Sequence, residues 1–481
     1  MQQANTEQIT KKNILGYERI GKLLLKFSLP GIISMLVNSL YNIVDQIFIG
    51  QGVGYLGNGA TTVIFPLTTI ALAFSLLIGD GAASYLSLML GRQKQEEANK
   101  AVAIAIWCTC LMGVLIGAIF IIFLEPLCLL FGATELILPY AKEYGLIIAL
   151  GMPFSAISVG FAGFIRADGS PNYNMAGLLA GCITNIILDP IFILVFKMGV
   201  AGAAIATIIG QAVNAVIYAL YIPRLKTVKL SKKVFKESPN AVLKVFKLGL
   251  SSFINQALIV IIIGVQNNLL KKYGAQSDYG AEIPMTALGV TMKLFNIIMA
   301  VLIGLSSGSQ PIWGYNYGSG QRDRVKKTFY YSTAVGTIVM LIAFLIFQIF
   351  PYQVVSIFGN DNELYVDFSV KCLKIYLMLL PISAIRMIGG SLLQATGNAM
   401  WASFLALSKQ VIIQLPAMIL LPMLIINGSI LGLDGILWAG PISDLLSCLL
   451  TIIILLFKGK NLFGVTAVKG EHTEQIDKID Y

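Results

Sequence analysis

Charge is what this sequence has least of. Only 12% of its 481 residues are Asp, Glu, Lys or Arg, where soluble domains usually carry about 25%. Histidine is nearly absent: His472, in the polar tail, is the only one. That excludes a histidine-based metal site or a Ser-His-Asp triad inside the membrane. The six cysteines (Cys108, Cys110, Cys128, Cys182, Cys372 and Cys448) are scattered, mostly in apolar runs. Their spacing fits neither a disulfide framework nor a zinc site. No phosphate-binding lysine loop of the Walker A type occurs, so ATP is not hydrolysed by that route. The N-terminus, Met1 to Lys22, lacks the pattern of a cleavable signal. Apolar and polar residues do not alternate in ten-residue stretches, which excludes a transmembrane β-barrel.

What is present is apolar length. Hydrophobic residues make up 57% of the chain, and mean hydropathy is +0.80. Many runs reach about 20 residues, enough for a helix to cross a bilayer core. The reading is an all-α polytopic membrane protein with twelve spans: 24–49, 62–90, 101–124, 137–165, 174–196, 200–222, 248–270, 284–313, 328–350, 366–393, 401–426 and 436–457. The formal charge of +10 is a topology signal. Of 34 Lys and Arg, 25 fall in the even-numbered connectors and both termini. The positive-inside rule then places both termini in the cytoplasm and leaves no need for a nucleic-acid partner.

The two halves repeat each other. Leu90-Gly91 with Gln95-Glu96-Glu97-Ala98 matches Tyr317-Gly318 with Arg322-Asp323-Arg324-Val325 at an offset of 227. Phe131-Gly132 matches Phe358-Gly359 at the same offset, and Pro153 matches Pro381 at 228. Arg166-Ala167-Asp168-Gly169 matches Gln394-Ala395-Thr396-Gly397 at 228, and Gly199 and Gly202 match Gly432 and Gly435 at 233. Six spans return each repeat to its starting side, so the repeats are parallel and related by a pseudo-two-fold axis along the membrane normal. The expected organisation is a cytoplasmic segment (1–23), an N-lobe bundle (24–222), a basic linker (223–247), a C-lobe bundle (248–457) and a cytoplasmic tail (458–481). Two facing bundles of this kind suit an alternating-access carrier.

Ionisable residues within spans are costly to insert and are functional candidates by default. Four acids (Asp45, Asp80, Asp189, Asp444) and three bases (Lys293, Arg386, Lys409) qualify. Asn38, Tyr41 and Asp45 follow i, i+3, i+7 spacing and form one polar stripe on span one. Pro30 gives that span a place to bend. Asn185 and Asp189 share a face of span five, and Pro190 leaves the carbonyl of residue 186 without its usual donor. Asp45 and Asp189 fall at similar depth and could meet. Two carboxylates in low dielectric resist joint ionisation, so such a pair can take up a proton. It could also bind Na⁺ with Asn185 and Thr207. Asp80 lies in a small-residue stretch suited to close helix packing. Lys293, Arg386 and Lys409 could pair with Asp444 or with one another. The second half has no acid matching Asp45 or Asp189, which places cation coupling in the N-lobe.

These residues resemble the multidrug and toxic compound extrusion (MATE) family of the MOP superfamily, over essentially the whole chain. The resemblance rests on Pro30 with Asp45, Leu90-Gly91 with Glu97-Ala98, Arg166 with Gly169, and Asn185 with Asp189-Pro190. It rests also on Gly199-Val200-Ala201-Gly202-Ala203-Ala204 with Ala206-Thr207, and on Gln310-Pro311 before Gly314-Tyr315-Asn316-Tyr317-Gly318. The N-lobe acids are similar to the DinF-like branch, and Asp434-Gly435 with Trp438 to Asp444 to the MepA group. The resemblance implies efflux of hydrophobic cationic drugs or dyes driven by inward H⁺ or Na⁺, without a cofactor, by a monomer in a bacterial cell membrane. It implies that Asp45, Asn185, Asp189 and Thr207 form the cation site, with Tyr144 nearby. A flippase for lipid-linked saccharides is the alternative within the superfamily; it would need basic residues such as Lys293 and Arg386 along the cavity. A membrane-embedded transferase would need clustered acids at one membrane face, and the connectors carry Gly, Asn and basic residues instead.

Overall fold

The computed structural model of the chain describes residues 14–53, 55–131, 133, 135–230, 239–280, 282–356, 363–426, 429–430 and 432–464. Residues 1–13, most of the tail including His472, Lys232, Lys233 and Lys236 of the linker, Gly132 and the Phe358-Gly359 match lie outside the described residues.

The chain is helical almost throughout, apart from a two-residue pairing of Ile425–Ile426 with Ser429–Ile430. The N-lobe comprises α1 (Ile20–Val53), α2 (Tyr55–Gly91), α3 (Gln95–Ile122), α4 (Leu138–Ala167), α5 (Pro171–Pro190) and α6 (Gly199–Ala219). The C-lobe comprises α7 (Pro239–Gly274), α8 (Glu282–Gly318), α9 (Arg322–Ile349), a broken α10 (Glu363–Tyr376 and Leu380–Ala395), α11 (Ala399–Leu407, continuing to Leu420) and α12 (Leu433–Phe463). Among the described residues, eleven helices are individually long and apolar enough to cross a membrane. The twelfth span is α10, whose halves meet at 49°. The sequence reads there as one run, 366–393. The chain breaks it at 377–379 because Pro381 opens the second half and has no N–H to continue the first. Apolar side chains such as Ile122 (71% exposed) and Phe457 (84%) cover the outside, as a lipid-facing surface requires.

The duplication is visible in the backbone. The left-handed turn at Gly169 (φ +88°) recurs at Gly397 (φ +88°), and Gly199 (φ +59°) recurs at Gly432 (φ +50°). The short helix Leu124–Leu130 after α3 has its counterpart in Pro351–Ser356 after α9. Gln93 (φ +60°) occupies the turn that Gly320 (φ +79°) makes in the second repeat, so the first repeat holds an uncommon left-handed non-glycine residue there.

The lobes meet along α1 with α8 and α2 with α7. Both contacts depend on missing side chains. A Cβ on Gly304 would run into the backbone of Ile32, and one on Gly249 into the Leu77 carbonyl oxygen. Hydrogen bonds cross the same seam: Gln310 Nε2 donates to Ser84 Oγ (2.7 Å) and Ser252 Oγ to Asp80 Oδ2 (2.8 Å). All these residues lie in the halves of the four helices nearest the basic connectors. In the opposite halves of α7 and α8, a Cβ on Gly264 or Gly289 would meet nothing within 4 Å. The tightest contacts between the lobes are thus concentrated on the basic side.

Candidate cation site in the N-lobe

Close packing of α5 on α6 builds this site. Gly181 and Gly210 face each other so tightly that a Cβ on either would lie 2.7 Å from the other's carbonyl oxygen. One turn further along α5, this approach brings Asn185 to Thr207. Asn185 Nδ2 donates to Asp189 Oδ1 (3.1 Å) and reaches Thr207 Oγ1 at 3.4 Å. After Pro190 the chain widens into a π-helical turn, Ile191–Val195. That adjustment follows from a proline whose missing N–H interrupts the helical ladder.

The polar stripe of α1 packs against α5 and completes the group. The Asp45 carboxyl lies within hydrogen-bonding reach of that of Asp189, and Tyr41 and Tyr144 are near enough to the pair to feel its charge. Asp189, Asn185 and Tyr144 are buried, while Asp45, Tyr41 and Thr207 are half-buried. Asp45 Oδ1, Asp189 Oδ2 and Asn185 Oδ1 are buried with no hydrogen-bond partner. Orphaned buried oxygens are costly. On three neighbouring side chains they supply hard oxygen donors, which suit a proton shared between the carboxyls or a Na⁺ ion. No cluster of three His, Cys, Asp or Glu residues occurs among the described residues; the other oxygens beside the two acids are those of Asn185 and Thr207.

The remaining sequence candidates separate. Pro30 is buried beside the α1–α8 contact, within an α1 that runs unbroken from Ile20 to Val53. Asn38 is half-buried, and its carbonyl accepts from Asn42 Nδ2 (2.6 Å). Asp80 belongs to the seam between the lobes: it accepts from Ser252, whose Oγ also accepts from Gln394 Nε2 (3.1 Å). Asp444 finds both of its partners in the C-lobe. Lys409 Nζ lies 2.7 Å from Asp444 Oδ1 and Arg386 Nε 4.0 Å from the same atom. Lys293 stands exposed on α8 and forms no ion pair among the described residues.

Sequence reasoning passed over Asp168. This buried carboxylate accepts from the Tyr221 hydroxyl (2.7 Å), the backbone N–H groups of Lys226 and Thr227 (2.8 Å each) and the Thr227 hydroxyl. The signal was an acid directly before the left-handed Gly169, read only as part of a repeat.

The chain's relatives agree with this architecture. The MatE family profile matches residues 30–191 and 277–420, one stretch in each lobe. The multidrug export protein MepA of Staphylococcus haemolyticus (strain JCSC1435) is 26% identical over 441 residues, covering 91% of this chain and 93% of that protein. The solved structure of the MATE multidrug transporter DinF-BH superposes with a TM-score of 0.82 at 31% identity, covering 92% of this chain and 97% of that one. An outward-facing multidrug resistance MATE transporter of the MOP superfamily superposes with a TM-score of 0.84 at 20% identity, covering 92% and 96%. The chain belongs to the MATE family, among its MepA- and DinF-like members, and is a multi-pass membrane transporter rather than an enzyme.

Proposed function

We propose that the protein is a secondary active efflux antiporter that exports hydrophobic, cationic drugs or dyes in exchange for inward H⁺ or Na⁺. The observation that carries this reading is the Asp45–Asn185–Asp189 group, whose three unpartnered buried oxygens stand in the halves of α1 and α5 away from the basic connectors. Relatives named for multidrug export and multidrug transport support the substrate class.

With the termini cytoplasmic, these halves of α1 and α5 lie toward the outside. A proton or Na⁺ arriving there neutralises Asp45 and Asp189. Removing their mutual repulsion lets α1 move closer to α5, with Pro30 as the point of bending, and the substrate cavity contracts. Release of the substrate outward precedes return to an inward-facing state, in which the seam at Gly304 and Gly249 must part. Each ion can drive this cycle only through its different affinity for the two states. The flippase alternative has less support, because Arg386, one of the bases it would use, is engaged with Asp444.

Asp45→Asn tests the proposal. The variant should insert at wild-type levels and accumulate dye like cells without the transporter. Wild-type dye efflux by Asp45→Asn would end the coupling assignment.

A further inference from the structure

At the base of the N-lobe, on the side of the basic connectors, lies a cavity of about 390 Å³. Its wall includes Lys26 of α1, Ser170 and Tyr173 at the start of α5, and Tyr221, Arg224 and Lys226 at and beyond the end of α6. None of its lining residues is acidic. Lys26, Arg224 and Lys226 form no ion pair among the described residues. The 20-residue helix α5 begins here at Pro171, so the positive end of its dipole adds to the three cations.

The wall is built rather than incidental. Asp168 lies behind it, its carboxylate already engaged by Tyr221, Lys226 and Thr227. It therefore fixes the backbone that carries Lys226 instead of repelling an anion in the cavity. Tyr221 also meets Ser170 Oγ at 2.7 Å, and its ring packs on Tyr173 with centroids 4.8 Å apart. Gln95 Nε2 holds the Thr227 carbonyl (2.5 Å) and Asn99 Oδ1 the Lys229 N–H (3.1 Å). The cavity sits where α1 and α5 begin and α6 ends, the level at which lipid phosphates lie. Basic pockets between membrane helices at that level suit anionic headgroups.

We propose that this cavity holds the phosphate of an anionic phospholipid headgroup between Lys26, Arg224 and Lys226, at the start of α5. Lys26 belongs to α1, and the other two cations follow α6. A bound phosphate therefore joins two helices of the cation site at their base.

The test uses the purified full chain in neutral detergent, with lipid adducts followed by native mass spectrometry. Phosphatidylglycerol and phosphatidylcholine of matched chains are compared. Wild type should retain phosphatidylglycerol at least about tenfold better, and K26Q/R224Q/K226Q should lose that preference. R92Q/K326Q/K327Q, which removes the same charge from residues that do not line the cavity, should keep it. If the triple variant is not recovered folded, R224Q alone should reduce retention about fivefold. Wild-type retention by K26Q/R224Q/K226Q or by R224Q overturns the proposal. Displacement of phosphatidylglycerol by millimolar inorganic phosphate would assign the cavity to free phosphate and overturn the lipid assignment.

Discussion

Asp189, buried, and Asp444, half-buried, are carboxylates within membrane helices of one protein, held in opposite ways. Asp444 has its countercharges in place, Lys409 at 2.7 Å and Arg386 at 4.0 Å. Asp189 has another carboxyl beside it, one amide donor and an oxygen left unpartnered. The first arrangement is already neutralised by the protein; the second has no countercharge of its own, as the proposed cation site requires. Removing one partner of a buried ion pair strands the other, at a cost of about 3–5 kcal/mol. Lys409→Met, which leaves Asp444 only Arg386 at 4.0 Å, should therefore lower the thermal unfolding temperature in detergent, and Asp444→Leu, which strands both bases, should lower it further. An unchanged unfolding temperature in Lys409→Met would show that the pair does not hold the C-lobe together. The sequence alone named these charges but could not join them. Arg386, Lys409 and Asp444 come from three different helices, and only tertiary packing selects among the possible pairs. Asn185 with Asp189 was legible because i, i+4 spacing on one helix is local.

Among the elements, α2 and α7 carry the clearest mechanical constraint. Gly249 sits against the Leu77 carbonyl with no room for a side chain. Gly249→Val should force the helices apart. At about 1–3 kcal/mol for overpacking, the equilibrium shifts roughly five- to 150-fold away from the form with this contact closed. Dye efflux should fall accordingly. In a cysteine-free background carrying Lys293→Cys, labelling from outside by a membrane-impermeant thiol reagent should fall with it. Undiminished labelling would mean that this seam does not control access from outside. Span positions were readable because hydrophobic length is a local property. The repeat was readable because Gly169 and Gly397 must make the same left-handed turn. The break in α10 was not, since its two halves have the apolar composition of one span, and only the backbone shows the 49° bend. Asp168 was missed because its donors lie more than 50 residues away, at Tyr221, Lys226 and Thr227.

At the scale of the whole molecule, the repeat has given each lobe a different task. Both lobes keep the turns, the short connecting helices and the glycine-lined contacts. Among the described residues the N-lobe carries a pair of neighbouring acids, while the C-lobe has half-buried charges that are already paired. Under the proposed function, one bundle responds to an ion while the other serves as the surface it moves against. The most direct test is transport by purified protein in proteoliposomes, with a pH gradient and a Na⁺ gradient imposed separately on wild type and Asp45→Asn. One of the two gradients should drive dye movement in the wild type, and neither should do so in Asp45→Asn. Gradient-driven transport at wild-type rates by Asp45→Asn would contradict coupling through the N-lobe carboxylates.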